Sequence, residues 1–111
     1  MSKARPDLDV SVDKAREIVK WLGELRMVER VMITGSRSPK SRKESRDDSD
    51  WDIAVVSNAK NLVLPNLEKT YGFHGHITVM SEAFIRQLVP GSMVGKKLVE
   101  IYPTDKYGVL E

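Results

Sequence analysis

The chain has no cysteine and only two histidines among its 111 residues. Disulfide frameworks, cysteine–zinc sites and thiol catalysis are thereby excluded, while a reducing compartment is permitted. An excess of one charge is missing too: 18 Lys and Arg stand against 16 Asp and Glu, a net charge of +2. Bulk charge therefore gives no argument for nucleic-acid binding. No apolar run approaches the ~20 residues that cross a bilayer. The opening stretch from Met1 to Arg16 has basic residues but no apolar segment behind them, unlike a secretory signal. A cytoplasmic protein with no membrane partner is the expectation.

What is present looks ordinary. Hydrophobic residues make up 41% and charged residues 31%, as in a typical globular domain, and the length suits one domain with one modest core. No internal repeat or linker is visible. Residues 1–111 are therefore expected to form a single domain, with a loose arm at 1–10 and a polar tail at 103–111.

Val12, Ala15, Ile18, Val19, Leu22 and Leu25 recur at helical spacing and predict a helix with one buried stripe. Ser11 suits its N-cap and Asp13 its first turn. The β-rich run from Val28 to Thr34 predicts a strand that stops at Gly35. Residues 36–49 are polar and aperiodic, hence a loop, and loops of that length in a small domain are usually functional or disordered. The β-branched run from Trp51 to Ser57 predicts a central strand. Between Asn58 and Tyr71 the leucines suggest a helix that Pro65 interrupts and Gly72 ends. His76 to Met80 predicts a third strand. Ser81 then caps a helix through Leu88 that Pro90 and Gly91 stop, with Ser92 capping one further turn. Leu98 to Tyr102 predicts a last strand at a sheet edge, open to pairing with a second copy. Alternating helices and strands predict an α/β or α+β domain, a small mixed sheet flanked by helices.

The chemistry concentrates in two short stretches. Asp50 and Asp52 stand two apart at the start of the apolar strand, a spacing that puts both carboxylates on one face with Trp51 turned away. Two adjacent carboxylates repel each other, and a divalent cation between them relieves that repulsion; carboxylate oxygens are ligands Mg²⁺ prefers. Gly35 ends the preceding strand, where the lack of a side chain lets backbone approach a ligand, and Ser36 adds a hydroxyl and an N–H suited to phosphate. Arg37 adjoins this turn. A phosphate grip facing a metal grip is the minimum for phosphoryl or nucleotidyl transfer, where catalysis is mostly positioning and charge neutralisation.

Gly35-Ser36 followed by Ser49-Asp50-Trp51-Asp52 and an apolar strand resembles the nucleotidyltransferase domain of the DNA polymerase beta superfamily. The small, stand-alone minimal nucleotidyltransferases are the most similar subgroup, over about residues 12–102. The resemblance implies a palm-like fold, Mg²⁺ on Asp50 and Asp52, a triphosphate-binding turn at Gly35 and Ser36, and transfer of a nucleoside monophosphate from a triphosphate, ATP first among them. It also implies an acceptor hydroxyl on a protein, such as a toxin partner, on a nucleic acid or on a small molecule.

The chain departs from that pattern at the next core strand, where the family places a third carboxylate. Residues 75–80 contain no Asp or Glu, and His76 stands in its stead. A neutral imidazole can serve as general base near pH 7 but is a poor Mg²⁺ ligand. The second reading is accordingly a catalytically degenerate nucleotidyltransferase-like protein, acting as a binding or regulatory, antitoxin-like module. A third uses the basic loop 37–46, with Arg37, Lys40, Arg42, Lys43 and Arg46, to hold nucleic acid. Trp51 is read as core, or alternatively as a lid over a base.

Overall fold

A computed structural model describes residues 8–40, 49–59, 61–88 and 98–111. Helix α1 spans Val12–Gly23, and Ser11 caps it by accepting from the Lys14 amide at 3.2 Å. Its apolar stripe, Ala15, Ile18, Val19 and Leu22, is buried. Strand β1 follows at Arg30–Thr34, then a single 3₁₀ turn at Gly35–Arg37. Strand β2 is Trp51–Val56, α2 is Leu67–Tyr71, β3 is Gly75–Met80, α3 is Glu82–Gln87 and β4 is Val99–Tyr102.

The helix suggested between Asn58 and Tyr71 is only its last third. Pro65 keeps the preceding residues out of helical geometry. Asn66 then caps α2 by accepting from the Lys69 amide at 3.0 Å, and Gly72 ends it with φ 61°, a left-handed position that glycine takes without steric cost. The further turn expected at Ser92 lies outside the described residues, as do Pro90 and Gly91.

The four strands form one mixed sheet in the order β3-β2-β1-β4. Strand β1 is antiparallel to both β2 and β4, whereas β2 and β3 run parallel. The domain is thus mixed α+β. Strand pleating sends alternate side chains to opposite faces. One face carries Val31, Ile33, Trp51, Ile53, Val55, Val99 and Ile101, all buried in a cluster with the α1 stripe, Leu67, Phe73 and Leu110. The other carries a smaller cluster of Met32, Ala54, Val56, Met80 and Leu98, against which Ile85 and Leu88 of the α3 region pack.

Of the arm expected at 1–10, residues 1–7 lie outside the described residues, but Asp9 is held: its amide donates to the Gly72 carbonyl at 2.7 Å, and its own carbonyl accepts from the His74 amide at 2.8 Å. The end of the chain is not merely a polar tail. Leu110 is buried, its carbonyl accepts from Arg16 Nε at 2.7 Å, and the Asp105 carboxylate receives the amides of Val109 and Leu110. Among the described residues no helix is long and apolar enough to cross a membrane.

Candidate functional site

The sheet register builds the site. Thr34 at the end of β1 pairs with Asp52, and Asp52 pairs on its other side with His76. Side chains directly across a sheet share a face, so Thr34, Asp52 and His76 form one row at the end of the sheet beyond the Met32–Ala54 cluster. The chain leaves β1 at Gly35 with φ 74°, and a Cβ there would overlap the Asp52 carboxylate. Both the backbone angle and the close approach of the acid require glycine at this position. The structure therefore brings the glycine turn and the acid into contact, although 16 residues of sequence separate them.

Asp50 lies just before β2. Its Oδ2 is 3.4 Å from His76 Nε2, with the acid partly buried and the imidazole 61% exposed. Asp50 and Asp52 thus flank the same histidine, one by contact and one by strand register. Among the described residues, Glu82 and Glu100 also lie on this side of the sheet but are held elsewhere. Arg30 donates to both Glu82 oxygens at 2.7 and 3.1 Å and to Glu100 at 3.3 Å. Burial alone would lower the Arg30 pKa, but the hydrogen bonds with Glu82 and Glu100 outweigh it and raise the value. The fork ties α3 and β4 to β1.

Arg37 turns its guanidinium over the Trp51 ring, 4.5 Å from the centroid, and its Nε donates to the Ser49 carbonyl at 2.9 Å. That pairing ties the end of the 3₁₀ turn to the start of β2. Trp51 itself is 1% exposed and donates from Nε1 to the Val10 carbonyl at 3.0 Å. It is a core residue, which overturns the alternative of a lid over a base: a ring enclosed by protein has no face left to stack. Arg42, Lys43 and Arg46 of the basic loop lie outside the described residues.

His74 is buried, with Nδ1 3.9 Å from a Glu68 oxygen and without a hydrogen-bond partner. Neither Thr34 nor the Arg30 fork was signalled by any local motif; Thr34 emerges from strand register, and the fork from the placing of α3 and β4 beside β1. Among the described residues no three His, Asp or Glu side chains gather as a metal-binding set. Two carboxylates nevertheless match what Mg²⁺ commonly takes from a protein when substrate phosphates and water complete its shell. Compared with known proteins, the chain matches no family model, no curated protein and no solved structure.

Proposed function

We propose that the protein is a Mg²⁺-dependent nucleotidyltransferase of palm-like fold that moves a nucleoside monophosphate, from ATP first among the triphosphates, onto an acceptor hydroxyl. The observation that carries this reading is the contact between Gly35 and the Asp52 carboxylate. A bend suited to phosphate and an acid suited to a cation occupy the same spot.

In this reading Gly35 and Ser36 hold the triphosphate, and Arg37 backs the turn. Asp50 and Asp52 hold the Mg²⁺, which supplies charge neutralisation at the phosphates. The acceptor oxygen forms a bond to the α-phosphorus, the bond from that phosphorus to its bridging oxygen breaks, and pyrophosphate leaves. The acceptor proton passes to His76, whose approach to Asp50 leaves the opposite ring nitrogen available as base.

The transfer of label from α-phosphate-labelled ATP to protein or nucleic acid in a cell extract tests the proposal. Mg²⁺-dependent labelling is expected, reduced about a hundredfold or more in Asp52→Asn. Labelling that persists in Asp52→Asn would refute it.

One observation favours a second reading. Strand β3 presents His76 and Thr78 to this face and no carboxylate, so the acid pair lacks a third member there. A degenerate module that binds nucleotide or a protein partner without transfer follows from that. Nucleotide binding together with a complete lack of labelling would select it.

A further inference from the structure

We propose that the free edge of β3 is a self-association surface, where two copies of the chain join their sheets by antiparallel pairing of β3 with β3 about a two-fold axis at Thr78. The two sheet edges differ. Strand β4 carries Glu100 and is followed at once by Pro103, the charge and proline that commonly protect an edge. Strand β3, with the sequence Gly-His-Ile-Thr-Val-Met, has neither an acid nor a Lys or Arg nor a proline. It also ends the sheet on its side.

The register shows which groups face outward. Trp51 donates its amide to the His74 carbonyl and Ser57 to the Met80 carbonyl, with Trp51 opposite Gly75 and Val55 opposite Val79. In a parallel ladder the even-numbered residues of β3 therefore pair with β2, and the main-chain groups of Ile77 and Val79 point away from it. Neither residue makes a main-chain hydrogen bond outside the ladder among the described residues. Val79 is 41% exposed.

A groove flanks this edge on each face. One, of about 390 Å³, is lined by Leu64, Pro65, Leu67, Gly75 and Ile77 among others. The second, of about 420 Å³, is lined by Thr78, Met80, Phe84 and Leu88 among others, and Val79 borders both. An added strand sends alternate side chains to opposite faces, so a groove on each side is what it requires.

A second copy fits this edge by charge. Two-fold pairing sets each residue near its own equivalent or a close neighbour, so a charged strand would repel itself; β3 contains no Asp, Glu, Lys or Arg. With Thr78 opposite Thr78 of the second copy, Ile77 and Val79 exchange both main-chain hydrogen bonds with Val79 and Ile77 across the axis. The pairs on the two faces are then Thr–Thr and Ile–Val, both favourable cross-strand combinations. Val79 of the second copy arrives beside Ile77, in the groove bounded by Leu64 and Pro65. This pairing needs neither nucleotide nor metal, so it stands or falls separately from nucleotidyl transfer.

Sedimentation velocity of the full chain over a range of concentrations tests it. The molar mass is expected to rise from 12.6 kDa toward twice that value. Val79→Pro removes an outward N–H without touching the ladder to β2, and Val79→Lys sets like charges near each other across the axis; both are expected to stay at the monomer mass. Amide hydrogen exchange of the unaltered chain is the companion measurement, with Ile77 and Val79 slowing as concentration rises. A wild-type chain that stays monomeric, a dimer that survives both substitutions, or a dimer whose Ile77 and Val79 amides remain unprotected would each overturn the proposal.

Discussion

The two faces of the sheet are built from the same strands yet are finished differently. The α1 face is sealed: every β1 and β2 residue that points to it is buried in the main cluster. Among the described residues, the opposite face is sealed only at one end, where Ile85 and Leu88 cover Met32, Ala54, Val56 and Met80. At the other end the same strands carry Thr34, Asp52 and His76. A single β2 strand thus contributes Trp51 to one face as core and Asp52 to the other as a candidate site residue. The larger core cluster lies on one side, and the candidate site occupies surface of the second side that the other described residues leave uncovered.

Substitutions on each face test that contrast. The largest effect is expected from Trp51→Ala, which empties the sealed face beneath α1 and removes the hydrogen bond to Val10. Denaturant unfolding should show a loss of about 3–5 kcal/mol. Next is Arg30→Ala, which leaves Glu82 and Glu100 without their cation and releases α3 from the half-covered face. A loss of roughly 1–3 kcal/mol is expected in the same experiment.

Asp9→Asn should have a smaller effect, with a defined pH dependence. Hydrogen bonds from the Ser11 backbone and side chain hold the Asp9 carboxyl below its ordinary range. A depressed folded-state pKa stabilises the fold above the unfolded value, about 3.9, and that contribution disappears as pH falls through the folded one. Thermal melts of Asp9→Asn and the wild type should therefore differ slightly at neutral pH and converge in acid. The smallest change is expected for His76→Ala. With its side chain 61% exposed at the open end, it should leave stability within about 0.5 kcal/mol, in contrast to its neighbour Trp51.

The elements were legible where a local pattern specifies them. The α1 stripe, the Ser11 and Ser81 caps and the apolar run of β2 each carry their own signal, and the structure places all of them as that signal predicts. The stretch before α2 was not legible, because leucines at mixed spacing compete with Pro65 and periodicity alone does not arbitrate. The Asp50–Asp52 pair and the Gly35 bend stood out in the sequence by residue type. That Asp52 meets the bend was not contained in either motif. It follows from the Thr34–Asp52 register, a non-local pairing of two strands. For the same reason the Arg30 fork, joining three elements, and the anchoring of Val10 on Trp51 could not be read from any one segment.

Calorimetric titration of Mg²⁺ and ATP together into the wild type, Gly35→Ala and Asp52→Asn tests the central claim, that the glycine bend and the Asp52 carboxylate form one nucleotide and metal site. The expected result is Mg²⁺-dependent binding by the wild type, weakened about tenfold or more by either substitution. Binding that ignores Mg²⁺, or that is the same in all three proteins, would contradict it.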